Sequence, residues 1–127
     1  MERKKLLEIF GGVLWVTNYD IESVPFYQKE DPDLKGTALN ADLLFGIGEV
    51  VGAGERCSSQ QELLDSLVLH ENSIADYEWY IQMKEKYPLK TAGFGMGIER
   101  YFLWLLKGND IRDIQLLPRE NGVNILP

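Results

Sequence analysis

Thr91-Ala92-Gly93-Phe94-Gly95-Met96-Gly97-Ile98-Glu99-Arg100, followed by Tyr101-Phe102-Leu103-Trp104-Leu105-Leu106, decides how the rest of the chain is read. Gly93, Gly95 and Gly97 alternate, so one face of an extended segment carries no side chains. A flat group can approach that backbone closely. From Ile98 the pattern turns helical, with Ile98, Phe102 and Leu105/Leu106 on one stripe and Gly108 where a C-terminal cap is expected. Arg100 then falls in the first turn of a mostly buried helix. An arginine buried there is costly unless an anion meets it. Two readings stay open: an internal carboxylate pairs with Arg100, or the anion comes from outside.

At 127 residues the chain makes one domain with room for a core. Its apolar runs are far too short to span a bilayer. The opening, mixed charge from Glu2 to Lys5 and then Leu6-Leu7, does not read as a secretion leader. One cysteine, Cys57, excludes an internal disulfide, and one histidine, His70, excludes a Cys/His metal cluster. The expected compartment is the cytoplasm. A net charge of −7 repels phosphate backbones at long range. The basic stretches Arg3-Lys4-Lys5 and Lys84 to Lys90 are diluted by glutamates and make no basic patch.

Glu2 to Phe10 reads as a short helix stopped by Gly11-Gly12, Val13 to Tyr19 as a buried strand, and Val24 to Gln28 as a shorter strand entered through Pro25. Glu30 to Gly36 is an exposed loop. Leu39 to Phe45 reads as a strand, Gly46-Ile47-Gly48 as a tight turn, and Glu49 to Cys57 as the returning strand. Asp42 and Glu49 have odd separation and would oppose each other on one straight strand. A hairpin brings them onto one surface. Two neighbouring carboxylates repel unless they share a cation, and hard oxygen ligands this few in number suit Mg²⁺ carried in on a phosphate. The competing reading is solvated acids beside a turn.

Arg56 lies seven residues beyond Glu49, so an irregularity at Gly52 to Gly54 is needed to aim both at one cleft. It is either a surface or ion-paired residue, or a fork for a carboxylate or amide of a small substrate. Ser59-Gln60-Gln61-Glu62 is a capping box for a helix with the stripe Leu63/Leu64 and Leu67/Val68. Asn72 or Ser73 caps the next helix, which ends before Pro88 and carries Ile74, Tyr77 and Ile81 as a core stripe. His70 reads as a loop or cap residue, and Cys57 as a packed apolar side chain without a histidine to activate it. Asn109 or Asp110 starts a short turn, and Ile114 to Leu117 is read as extended. The sum is an antiparallel sheet backed by about three helices, an α+β fold.

The segments Gly93 to Arg100, Asp110-Ile111-Arg112-Asp113-Ile114 and Leu117-Pro118-Arg119 together resemble motif 3 and the C-terminus of class II aminoacyl-tRNA synthetases. Gly48-Glu49-Val50-Val51-Gly52-Ala53-Gly54-Glu55-Arg56 resembles the Gly-Glu-Ile-x-Gly-Gly-Ser-x-Arg segment of the aspartate and asparagine subgroup. Thr17-Asn18-Tyr19, Phe26-Tyr27 and Asp42-Leu43-Leu44 add further matches. The similarity runs over nearly the whole chain from Val13.

This resemblance implies roles for the matching positions. Arg100 holds the γ-phosphate of a bent ATP, and Gly95 and Gly97 leave room for its adenine. Glu49, with Asp42, holds Mg²⁺ on the phosphates. Arg56 reads the side-chain carboxylate or amide of aspartate or asparagine. The amino-acid carboxylate attacks the α-phosphate, giving an aminoacyl adenylate and pyrophosphate. Such chemistry rests on positioning and charge neutralisation.

The departures carry weight too. Family members usually have Pro-His-Gly-Gly before the glycine track, where this chain has Lys90-Thr91-Ala92-Gly93. Gly54 replaces the serine of Gly-Gly-Ser, and Val24 a lysine before the Phe-Tyr segment. Neither the dimer-forming motif 1 nor the motif 2 arginine that grips the α-phosphate is found. Residues 1–127 are therefore expected to be the C-terminal part of a catalytic domain, without an anticodon-binding domain. They are either a fragment or a chain whose partner supplies motifs 1 and 2, with dimerisation implied by resemblance. Three functions remain open: a synthetase core that serves tRNA when complete, a synthetase-derived asparagine synthetase-like enzyme that passes its adenylate to ammonia or another amine, and a non-catalytic paralogue.

Overall fold

A hairpin forms the centre of the molecule. Strand β2 (Asn40–Phe45) turns at Gly46-Ile47 and returns as β3 (Gly48–Glu55), with Gly48 at a φ of +115° that favours glycine. Strand β1 (Leu14–Thr17) pairs with β2, and β4 (Ala92–Met96) pairs with β3. The result is a four-stranded sheet in the order β1-β2-β3-β4, antiparallel as the sequence predicts. The computed structural model describes residues 3–118 and 121–122. Glu2, read as the start of the first helix, and Arg119, one of the residues behind the resemblance, lie outside the described residues.

Two expected extended segments do not form. Pro25 has no N–H to give a ladder, and the Gln28 N–H folds back onto the Pro25 carbonyl at 3.0 Å, closing a turn. Gln28 instead makes an isolated bridge with Arg56. Ile114 belongs to a 3₁₀ turn, Ile111–Ile114, whose cap Asp110 accepts the Arg112 N–H at 2.9 Å. Gln115 to Leu117 then join no strand of the sheet.

Four α-helices appear among the described residues, where the sequence suggested about three: α1 (Arg3–Phe10), α2 (Gln60–Leu69), α3 (Glu78–Lys86) and α4 (Ile98–Leu105). The Ser59 hydroxyl caps α2 by accepting the Glu62 N–H at 3.2 Å. The return arm of the predicted capping box goes one residue further back, with Glu62 Oε2 accepting the Ser58 N–H at 2.7 Å. Leu63 and Leu67 are fully buried with Cys57 and Ile81, while Val68 turns outward. Each buried leucine contributes about 1.5–3 kcal/mol. Burial pushes the Cys57 thiol up to about 11, which suits a packing residue rather than a nucleophile. Ser73 opens a 3₁₀ turn, Ile74–Tyr77, that leads into α3, and Ile74 is exposed.

His70 is the cap at the end of α2, as expected, and does more. Its Nδ1 lies 2.8 Å from the Ser66 carbonyl oxygen and its Nε2 3.0 Å from that of Ile21, tying α2 to the loop after β1. Those contacts leave the ring structural.

Helix α4 corrects the expectation of a mostly buried helix. Ile98, Phe102, Leu105 and Leu106 are exposed, whereas Leu103 is buried and Trp104 stacks on Phe45 with ring centroids 4.6 Å apart. The helix packs by the 103/104 side, one position off the predicted stripe. Arg100 is exposed, so no internal carboxylate is required for it. On the sheet face that α4 only partly covers, Trp15 and Phe94 remain 56% and 77% exposed.

The end of α4 is also shifted by one residue. Lys107 takes the left-handed conformation, at φ +54°, and Gly108 donates to the Leu103 carbonyl at 2.9 Å. Gly108 is needed for closeness instead, since a Cβ there would sit 2.8 Å from Leu103 Cδ1. Replacing Lys107 by glycine should raise stability by about 1 kcal/mol, because lysine is strained at that φ. Gly108→Ala should lower it by a similar amount or more through the buried Leu103. Midpoints of urea unfolding at constant m check both.

Candidate active site

The pairing of β2 with β3 slips once. Leu43 faces Val51 but Leu44 faces Glu49, which leaves Val50 as an extra residue in β3. Side chains alternate afresh past this bulge, so Glu49 shares a face with Gly52, Gly54 and Arg56 despite the odd spacing. The irregularity needed to aim Glu49 and Arg56 together is therefore present, two residues before the place the sequence suggested.

That face has a bare floor. Gly52 pairs with Gly95 and Gly54 with Gly93, so the glycine track of β4 continues into β3. A Cβ on Gly95 would meet nothing within 4 Å, which leaves the backbone open to a flat ligand. Gly97 is covered by the stem of Arg100, whose Cβ, Cγ and Cδ would lie 3.5 Å from a Cβ there. Of the two glycines expected to make room, Gly95 is the open one.

Side chains ring the floor. Asp42 is directly opposite Gly52 in the register. A Cβ on Gly52 would lie 3.0 Å from Glu49 Oε1 and 3.4 Å from Asp42 Oδ1, so the two carboxylates converge over this glycine. The predicted neighbourhood is real. Among the described residues no group of three or more His, Cys, Asp or Glu side chains gathers to hold a metal, so a cation here would take most of its ligands from elsewhere. A pair of hard carboxylate oxygens with open positions fits Mg²⁺, which keeps few protein ligands.

Arg100 and Arg56 flank the acids. Arg100 Nη1 donates to the Glu49 carbonyl at 2.9 Å, which parks the guanidinium at the Glu49 end of the floor on a neutral partner. Arg56 extends over the opposite end, with Nη2 3.5 Å from a Cβ placed on Gly93 and its guanidinium carbon 5.1 Å from the centre of the Tyr27 ring. Tyr80 also meets Arg56: burial raises the Tyr80 pKa, while the Arg56 charge and hydrogen bond pull against that shift. Both arginines therefore border the floor with Asp42 and Glu49.

Two cavities open above this surface. One of about 280 Å³ is lined by Gly52, Gly54, Gly93, Gly95, Gln28 and Arg56, among others. The other, about 380 Å³, adds Tyr19, Ser23, Asn40, Asp42 and Glu49. Gln28 and Asn40 line these cavities, and sequence reading passed them over. Asn40 was legible, because it stands two residues before Asp42 on the same strand. Gln28 was not, since its side chain reaches Gly54 from a turn rather than a strand. Gln28 Oε1 is buried and has no hydrogen-bond partner among the described residues, an acceptor at the edge of the cavity.

The family description tRNA synthetases class II (D, K and N) matches residues 4–121. The asparagine–tRNA ligase of Pyrococcus furiosus is 35% identical over 120 residues, which is 93% of this chain and 28% of that protein. The asparaginyl-tRNA synthetase of Pyrococcus horikoshii superposes with a TM-score of 0.88 at 32% identity, over 95% of this chain and 29% of that one. The same enzyme solved with asparaginyl-adenylate gives 0.88 over 98% of this chain. An Entamoeba histolytica aspartyl-tRNA synthetase, 21% identical with a TM-score of 0.83, shares the fold. The chain spans less than a third of the length of these relatives, 28% of the Pyrococcus furiosus enzyme. It belongs to the class II tRNA synthetases of the aspartate, lysine and asparagine group.

Proposed function

We propose that residues 1–127 are the C-terminal part of a class II catalytic domain that activates aspartate or asparagine with ATP, as an aminoacyl adenylate. The observation that carries this reading is the convergence of Glu49 and Asp42 over Gly52, beside a floor of paired glycines with an arginine at each end. The adenine lies on the open backbone at Gly95, and Arg100 swings from the Glu49 carbonyl to the γ-phosphate. Glu49 and Asp42 would hold Mg²⁺, which supplies charge neutralisation on the phosphates. Arg56, fixed by Tyr27 and Tyr80, reads the carboxylate or amide of the amino acid. Gln28, which lines the same cavity, would accept from an N–H of that substrate.

The amino-acid carboxylate then attacks the α-phosphate and pyrophosphate leaves. No protein nucleophile is called for, and orientation with charge stabilisation supplies the rate. A partner or a further stretch of polypeptide supplies motifs 1 and 2, and the partly covered sheet face with Trp15 and Phe94 offers it apolar surface to bury. Among the described residues no helix is long and apolar enough to cross a membrane, and the reading places the protein in the cytoplasm. The net charge of −7 and the Thr91-Ala92-Gly93 lead-in favour, as a second reading, an amide-forming relative that passes the adenylate to ammonia or an amine instead of tRNA.

Amino-acid-dependent ATP–pyrophosphate exchange, measured with a polypeptide supplying motifs 1 and 2, should rise above background. Loss of both exchange and ATP binding in that assembly refutes the proposal. Charging of tRNA together with exchange selects the synthetase, and exchange without charging selects the amide-forming enzyme. In an active assembly Arg100→Ala should weaken ATP binding tenfold or more, by loss of a charge-assisted contact. Arg56→Ala should raise the KM for the amino acid far more than that for ATP. Gly95→Ala is the cleanest steric probe, because its Cβ meets no protein atom within 4 Å. It should leave the melting temperature within about 2 °C, a surface-type change of under about 0.5 kcal/mol, and still cut ATP affinity at least tenfold.

A further inference from the structure

Arg56 and Tyr27 also border a separate cavity of about 680 Å³, whose walls include Phe26, Tyr77, Trp79, Tyr80 and Tyr87. Its size is that of a small-molecule pocket. Two lining residues are cations, Arg56 and Lys84, and no Asp or Glu lines it, on a chain of net charge −7. Lys84 is 3% exposed. Its ammonium donates to the Leu89 carbonyl at 3.3 Å and stands 5.8 Å from the centre of the Tyr80 ring. Among the described residues no carboxylate lies within ion-pair distance of it. An ammonium has three donors, so most of its hydrogen-bonding capacity is unspent in a place where water is scarce. A buried charge in that state is costly until a counter-charge arrives. Aromatic walls by themselves suit an organic cation. The two built-in cations reverse that preference.

We propose that this cleft is a second binding site, for a carboxylate carried on an aromatic or branched apolar body. Lys84 and Arg56 hold the carboxylate, and Trp79 with the tyrosines encloses the body. The site shares Arg56 with the adenylation reading but uses neither the glycine floor nor the acid pair, so it needs no nucleotide.

The test is a titration of the 127-residue chain, without ATP, by 3-phenylpropionate and by its neutral amide, read by calorimetry. The carboxylate should bind at least tenfold more tightly than the amide. Lys84→Met should remove most of that difference while leaving the affinity for the amide unchanged, and Lys84→Arg should restore it. Equal affinity for the two compounds, no saturable binding of either, or a full carboxylate preference in Lys84→Met overturns the proposal. Should Lys84→Met fail to fold, the ligand pair on the native chain decides by itself. Carboxylate binding in a protein whose complete assembly shows no exchange upholds this site and refutes adenylation. Exchange without carboxylate binding does the reverse.

Discussion

The bulge at Val50 decides which glycines and which arginine share a face with Glu49 and Asp42. In an unbroken hairpin closed by Gly46-Ile47, Asp42 would face Val51, and Gly52, Gly54 and Arg56 would turn to the other side of the sheet. One inserted residue moves all three onto the face of Glu49 and Asp42. It also puts the smallest possible residue under the two carboxylates, where a methyl group would stand 3.0 Å from Glu49 Oε1. A single backbone irregularity thus joins the acids, the bare floor and the arginine into one surface.

The floor is an arrangement that stability alone would not choose. Glycine inside a strand costs about 0.5–1 kcal/mol relative to alanine, and here two glycine pairs stand face to face in the β3–β4 ladder. Crowding accounts for part of it: Gly54 lies beneath Gln28, and Gly52 beneath the acids. Gly95 has no such excuse, having open space above it. A residue that is costly and sterically unforced accords with the proposed role of its bare backbone as the bed of a flat ligand.

Much of this was legible in the sequence, because it depends on local rules. Alternating glycines, the tight turn at Gly46-Ile47, the Ser59 cap and the Pro88 stop are each decided within a few residues, and the hairpin follows from them. What failed depended on distant partners. Pro25 broke a strand that Phe26 and Tyr27 suggested on propensity, and those rings serve the cluster under α2 and the Arg56 stack instead. The buried side of α4 was misplaced by one position because Phe45, across the sheet, selects Trp104 as its stacking partner. Lys84 gave no signal, since a lysine in an amphipathic helix ordinarily reads as solvated.

The spacing of the charges constrains what the site can bind. Arg100 rests on the Glu49 carbonyl and Arg56 over Gly93, which faces Gly54 in the register, so the two cations stand at opposite ends of the floor. On the proposed reading they hold the ends of two substrates, or of one long one. The acid pair lies between them and would disfavour anionic groups brought there. On the proposed reading a shared cation would resolve that conflict by neutralising the midpoint. His70 is occupied by two carbonyls and the Cys57 thiol is held up at about 11, so neither is available for covalent catalysis. On the proposed reading, the geometry would align two anions across a neutralised gap, which is the requirement for joining a carboxylate to a phosphate.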